Sequence, residues 1–294
     1  MSFVFALGLF AACGETSSPS SSTTGSGTSY IMDLNLMSFN IRTIASADTG
    51  VRTWSTRRNA VVDFINNSDA DIIGLQEVRQ AQFAYIQAKL ASNYAGIYHP
   101  GKSGSDPEGL VIVYDKTEFN VISQERYWLS ETPDVESKGW GEEYYRIAVE
   151  ILLQHKATGE YVKTVNTHGP LNGTANTNGY NLIANRSLKG DYFTFLCGDF
   201  NARPEQRGYV PIAEKLQDCR VTAEDSSTRD DATFNAWGTE STTSPPRIID
   251  YCFVSKSENV KVLTYEVRTD KWGKDNAYYL SDHYAVQTTV KVTF

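Results

Sequence analysis

The chain has 294 residues, 27 basic against 35 acidic, for a formal net charge of −8, with 40% hydrophobic and 21% charged side chains. That composition is ordinary for a soluble globular protein and long enough for one large α/β domain or two small ones. The acidic balance argues against a nonspecific binder of polyanion backbones, and four cysteines without metal-ligand spacing exclude a dense disulfide framework.

Residues 3–12 form an apolar run of signal-peptide length, too short to span a bilayer. The run ends in LFAA before Cys13 and resembles a bacterial lipoprotein cleavage box, although only Met1 and Ser2 precede it, where basic residues usually stand. The resemblance implies an exported chain held at the cell envelope or outer surface by a lipid on Cys13, its only contact with a membrane. Residues 14–29 are nearly all Ser, Thr and Gly and read as a flexible tether. The expected organisation is therefore signal peptide and lipobox 1–13, linker 14–29 and one folded domain 30–294, with no linker inside it.

From residue 30 strands and helices alternate. Residues 33–41 read as a strand, and Ala60, Val61, Phe64 and Ile65 give 56–67 a helical spacing. Residues 71–75 are a buried strand, 81–90 a helix, and 110–114 a strand leading to Phe119 and Val121. An aromatic-rich loop is expected over 128–145. An antiparallel pair, 146–153 and 161–165, is joined by a turn at 157–160. A helix over 178–188, a strand at 194–197, a short helix at 211–216 and strands at 248–254, 260–268 and 285–294 complete the pattern. A two-sheet β-sandwich flanked by helices, an α/β (α+β) fold, accommodates it best. Cys197 and Cys252 fall inside buried strands, where a thiol acts as a small hydrophobe.

Six polar clusters sit inside or at the ends of these apolar runs, where a sheet delivers side chains to a shared rim. They place Asn40 in LMSFNIR, Glu77 in IIGLQEV, His168 in VNTH, Asp199 and Asn201 in FLCGDFN, Asp250 in RIIDYCF, and Asp282 and His283 in LSDHYAV. Acids, amides and two histidines are what a hydrated divalent cation and a phosphate ester need. Magnesium prefers oxygen ligands and keeps several waters, so one or two carboxylates suffice. Asp199 and Asn201, two residues apart, point the same way from one strand. Any one of these acids taken alone is more often a turn former, and His99 and His155 read as loop or surface histidines.

GDFN (198–201), SDH (281–283) and LQEV (75–78) together resemble the endonuclease/exonuclease/phosphatase superfamily over residues 34–294. The resemblance implies a four-layer, deoxyribonuclease-like architecture, a catalytic domain at 30–294, and phosphoester hydrolysis by direct attack of water. It implies Mg2+, or Mn2+ in its place, on Glu77 with Asn40 and Asp282 beside it. Asp199 and Asn201 then orient the water and hold a non-bridging oxygen, Asp250 pairs with His283, and Glu108 pairs with His168. Arg146 donates to a phosphate oxygen. One departure stands out: where many members continue the histidine of VNTH with Leu-Asp-His, this chain reads Gly169-Pro170-Leu171-Asn172, so the loop up to Asn178 takes a different shape.

The resemblance leaves three functions open: a secreted phosphoesterase acting on small phosphomono- or diesters, an extracellular nuclease, or a non-catalytic binding module. The acidic 127–145 segment disfavours tracking along duplex DNA, and the intact set of acids and histidines disfavours the third. Trp128, Trp140, Tyr144 and Tyr145 are equally candidates for stacking on a sugar or base and for packing, whereas Trp237 and Trp272 read as packing residues. The partner expected is a phosphoester substrate, the chain acting as a monomer.

Overall fold

A computed structural model describes residues 30–239 and 245–294; the signal, lipobox, Cys13 and the tether lie outside the described residues. Its elements in chain order are β1 (Ile31–Asn40), α1 (Trp54–Asn66), β2 (Ile72–Arg79), α2 (Gln80–Gln87), β3 (Tyr94–Pro100), β4 (Glu108–Asp115), β5 (Phe119–Trp128), β6 (Ile147–His155), β7 (Tyr161–His168), α3 (Gly173–Arg186) and β8 (Phe193–Asp199). They continue with α4 (Val210–Ala213), β9 (Leu216–Asp218), α5 (Cys219–Thr222), β10 (Asp250–Ser255), β11 (Val260–Arg268), the two-residue pair β12 (Lys271–Trp272) and β13 (Tyr278–Tyr279), and β14 (Ala285–Thr293).

Two six-stranded sheets form, in the orders β11-β14-β1-β2-β4-β3 and β5-β6-β7-β8-β10-β9. Alternation along β1 shows how the sequence sets the layers: Leu34 and Leu36 face the core between the sheets, while Met37 and Phe39 face a second core under α1. Both faces are covered, so the strand reads as a near-continuous apolar run. The other sheet repeats the scheme, with Phe195 and Cys197 inward and Leu196 against Tyr180, Ile183 and Ile212 of α3 and α4. The result is the two-sheet sandwich flanked by helices.

Pairing brings the polar clusters to one rim. β1 runs parallel to β2, and β7 parallel to β8, so Asn40, His168 and Asp199 all lie at strand C-termini. β10 runs antiparallel to β8 with Asp250 opposite Asp199, and β14 starts beside the end of β1, carrying Asp282 and His283 to the same edge.

Four expectations change. The helix placed at 178–188 begins at Gly173, five residues earlier, because Asn172 caps it, its Oδ1 accepting from the N–H groups of Thr174 and Ala175. The loop expected after VNTH is therefore mostly helix. Gly169 itself is required there: a Cβ would meet the Phe200 carbonyl oxygen at 2.3 Å and the Tyr180 hydroxyl at 2.4 Å. The short helix expected over 211–216 spans Val210–Ala213, and Leu216 instead opens β9, pairing with β10. His99 lies in β3 and His155 ends β6, so both are strand residues rather than loop residues. Cys197, Cys219 and Cys252 are free and buried.

Candidate active site

The cleft at this rim has a volume of about 320 Å³, and Glu77, Glu108, Arg146, His168, Asp199, Asn201, Asp282 and His283 line it. Asn40 and Asp250, both 0% exposed, sit directly beneath and hold the lining groups. Every site residue expected from the sequence is thus at one place.

Backbone geometry aims the side chains. The β2–β4 pairing breaks between Leu75 and Val78, a bulge that leaves Gln76 and Glu77 out of register. Gln76 turns inward, its Nε2 donating to Asn166 Oδ1 at 2.8 Å, and Glu77, at φ 60°, turns its carboxylate into the cleft. Asn201 adopts φ 48° for the same purpose, just past the end of β8.

Asn40 joins the acids. Its Nδ2 donates to Glu77 Oε1 at 3.1 Å and to Asp199 Oδ2 at 3.0 Å, and its Oδ1 accepts from the Arg42 N–H at 3.0 Å. The Thr43 N–H donates to Glu77 Oε2 at 3.0 Å. Burial opposes ionisation of Glu77, but His283, these N–H donors and Arg42 together hold its carboxyl below the usual range. Arg42 also lies 3.3 Å from Asp282.

The two histidines are held in opposite ways. Nδ1 of His283 lies 2.9 Å from Asp250 Oδ2 and 3.1 Å from Oδ1, and Thr233 Oγ1 donates to the same Asp250 Oδ2 at 2.7 Å. Burial alone would depress the His283 pKa, but Asp250 and Asp199 raise it to about 10, so this imidazole is a cation. Its Nε2 faces Asp199 Oδ2 at 3.7 Å, and its ring meets Phe234 edge-on at 4.9 Å.

Nδ1 of His168 takes a different partner from the one expected. It lies 2.8 Å from Arg146 Nη1, while Nε2 lies 3.4 Å from Asp199 Oδ2. The expected Glu108–His168 pair is therefore not formed. Glu108 opens β4 opposite Arg79, and Thr43 and Arg146 engage it, while burial and Glu77 raise its pKa. A guanidinium only donates, so Nδ1 of His168 is an acceptor and the ring proton sits on Nε2. Burial, then Arg146 and His283, keep this imidazole neutral.

Asp199 stands between the rings. Burial and Asp250 push it up to about 7, with His283 and the Asn201 N–H opposing. Its Oδ1 accepts from that N–H at 2.9 Å, and Asn201 Nδ2 donates to the Gly169 carbonyl at 3.0 Å.

The donor set suits a hard divalent cation. Among the described residues, ligand atoms of Glu77, His168 and Asp199, and of Asp199, Asp250 and His283, lie within 4.8 Å of one another. In the second group Asp250 and His283 are already engaged with each other, so Glu77 and Asp199 are the freer oxygens. Asp282 belongs to neither group; burial and then Glu77 raise its pKa, with His283 and Arg42 opposing. Carboxylates with an imidazole beside them fit a divalent cation of the oxygen- and nitrogen-binding kind rather than a thiolate metal.

Three residues at the site carry no chemical signature in the sequence. Thr233 fixes Asp250, and Thr43 caps Glu77 through its backbone. Arg57, 0% exposed, donates to the carbonyls of Ile41 at 2.6 Å, Arg42 at 2.8 Å, Leu280 and Arg52 at 3.0 Å. It ties the end of β1 to the segment that carries Asp282. Of the aromatics, Tyr144 reaches the cleft, its ring 5.2 Å from the Arg146 guanidinium. Trp128 packs, its Nε1 donating to the Gly101 carbonyl at 2.8 Å, and Trp237 lies against Arg52 and Arg57.

Comparison with known proteins agrees with this geometry. The Nocturnin of Drosophila melanogaster is 28% identical over 205 residues, 61% of this chain and 30% of that protein. The Ccr4 3'-5'-exoribonuclease subunit of the CCR4-Not complex from Coccidioides immitis is 30% identical over 135 residues, 39% of this chain and 18% of that protein. The chain thus spans less than a third of either relative's length. A mannosyl-6-phosphatase structure from Bacteroides thetaiotaomicron superposes with a TM-score of 0.79 at 27% identity, covering 87% of this chain and 99% of that one. A second structure from that organism, an endonuclease/exonuclease/phosphatase family protein, gives 0.78 at 26% identity over 90% and 96%. The Endonuclease/Exonuclease/phosphatase family model matches residues 37–283, and with the sandwich and its rim of acids and histidines in hand, the chain belongs to that family.

Proposed function

We propose that this protein is a secreted, divalent-cation-dependent phosphoesterase that hydrolyses small phosphate esters by direct attack of water. The convergence of Glu77, Asp199 and Asp282 with the Arg146–His168 and Asp250–His283 pairs in one cleft carries this reading. A magnesium or manganese ion held by Glu77, with Asn40 and Asp282 beside it, would supply Lewis-acid charge to a phosphoryl oxygen. The protein's own groups do the rest. Arg146 and the Nε2–H of His168 donate to non-bridging oxygens, and the His283 cation, held by Asp250, faces the charge that develops at phosphorus. Asp199, between the two rings, is placed to accept a proton from the attacking water, with Asn201 fixing its other oxygen.

Small esters are favoured over polynucleotides by the acidic balance of the chain and by the extensive likeness to a mannosyl-6-phosphatase structure. A nuclease is the second reading, supported by the sequence matches to Nocturnin and Ccr4. The test is a panel of sugar phosphates, nucleotides, RNA, duplex DNA and phospholipid headgroups, each with Mg2+, with Mn2+ and with EDTA, and with His283→Ala as control. Chelator-sensitive, His283-dependent release of phosphate from the small esters is the expected result; cleavage confined to RNA or DNA installs the nuclease reading instead.

A further inference from the structure

Beside the catalytic cleft lies a second, larger cavity of about 760 Å³ that shares Asn201 and Leu171 with it. This volume falls within the ~300–1,000 Å³ range of small-molecule sites. Its walls come from the first turns of α3 and from the turn that follows GDFN, and it meets the catalytic cleft at Asn201 and Leu171.

The lining is polar and mixed in charge. Thr174 and Asn178 on one side and Glu205 and Arg207 on the other make no side-chain hydrogen bond or ion pair among the described residues. A hydroxyl, an amide, a carboxylate and a guanidinium therefore stand free at one cavity, offering donors and acceptors of both charge types. Among the described residues no aromatic ring lines it to stack a base, and one Arg opposite one Glu gives no cationic track for a phosphate backbone. Leu171, 58% exposed, adds one apolar wall.

The cavity is also rigidly built. Asn176, 5% exposed, donates to the carbonyls of Pro170 at 2.8 Å and Phe200 at 2.7 Å, tying α3 to the strand that carries Asp199. Gly208 opposes it so closely that a Cβ would lie 1.5 Å from Asn176 Oδ1. The two walls are thus locked to each other and to the catalytic strand.

We propose that this cavity is the leaving-group site and that it takes a polyhydroxylated, uncharged group such as a hexose, its hydroxyls paired by Asn178, Thr174, Glu205 and Arg207 and its C–H face laid on Leu171. The inference rests on the phosphoesterase reading and narrows its substrate to sugar phosphates. Thr174, Glu205 and Arg207 are exposed and Asn178 is half-buried, so each hydroxyl paired there replaces a water, and its net contribution is that of an ordinary hydrogen bond.

The experiment compares hydrolysis of a hexose 6-phosphate and of phenyl phosphate by the wild-type chain, by Asn178→Leu and by Arg207→Ala. Asn178 and Arg207 line this cavity and not the catalytic cleft. The expected result is a roughly 3- to 10-fold fall in kcat/KM for the hexose 6-phosphate in each variant, mostly through KM, with phenyl phosphate changed less than 2-fold. Equal effects on both substrates, or none on either, overturn the proposal. Calorimetric titration of the same hexose 6-phosphate into the His283→Ala chain, with and without Asn178→Leu, separates the two readings. Binding that Asn178→Leu weakens, in a wild type without turnover, keeps the sugar site and removes the phosphoesterase reading; absence of both binding and turnover removes both.

Discussion

Arg146 Nη1 lies 2.8 Å from Nδ1 of His168, where a carboxylate was expected. The exchange reverses the role of the imidazole. A carboxylate partner favours a cation, whereas a guanidinium partner requires a bare Nδ1 and leaves the ring a neutral Nε2–H donor. Nitrogen-15 NMR of His168 should show one unprotonated ring nitrogen, Nδ1, across the neutral range, and a protonated pair would refute the assignment. Arg146→Met removes both the donor and the tautomer lock, and should lower kcat/KM by roughly 10²–10³-fold, with the melting temperature little changed.

His283 is held the opposite way. Asp250 accepts from its Nδ1 and is itself fixed by Thr233. Asp250→Asn keeps the shape but withdraws the charge that makes the ring a cation, and kcat should fall by roughly 10²–10⁴-fold. Thr233→Val should cost less, about 10-fold, because the carboxylate stays and loses one of its anchors. A Thr233→Val loss as large as that of Asp250→Asn would mean that orientation, rather than charge, is the contribution of Asp250.

Much of this site was legible because strand ends carry it. GDFN and SDH each bring their polar residues immediately after a buried apolar run, so the sequence neighbours Asp199 and Asn201, and Asp282 and His283, arrive together. The pairing of Asp250 with His283 followed from the family resemblance. What sequence order does not encode is contact between segments of irregular backbone. Glu108 and Arg146 compete for the same corner, and which one meets His168 depends on where β4 begins relative to the loop before β6. The start of α3 was missed for another reason: GTANTNG is poor in apolar periodicity, and only the Asn172 cap marks its beginning. Arg57 gave no signal either, since its partners are all carbonyls, which the sequence does not distinguish.

That clamp is testable. Four carbonyl acceptors converge on the buried Arg57 guanidinium from Ile41, Arg42, Arg52 and Leu280. Burial lowers its pKa to about 10, against the pull of Asp282 and Asp48, so it stays charged at neutral pH. Arg57→Met strands those carbonyls and should destabilise the domain by about 3–5 kcal/mol in a denaturant titration. Arg57→Lys reaches fewer of them and should fall between. Calorimetry should also show weaker divalent-cation binding in Arg57→Lys, because the segments bearing Asn40 and Asp282 are no longer tied together. Unchanged cation affinity would confine Arg57 to stability.

A pH effect independent of the cleft comes from Asp71, at the edge of β2. Its Oδ2 accepts from the Asn35 N–H at 2.7 Å. Burial, with Asp115 and Glu118 nearby, outweighs that bond and raises its pKa to about 6. The folded state thus binds this proton more tightly than the unfolded chain, whose Asp titrates near 3.9. Stability from this group is full below about pH 4, declines as pH rises towards 6, and is flat above, because only the ionised form is penalised. Asp71→Asn removes the ionisation and keeps an acceptor for Asn35. Its stability relative to wild type should therefore increase between pH 4 and pH 6, by about 1–3 kcal/mol. Chemical denaturation of both chains at pH 4, 5, 6 and 7 measures that difference. A difference that is constant across the series would show that the Asp71 carboxyl titrates alike in the folded and unfolded states, and that its contact with Asn35 fully offsets its burial.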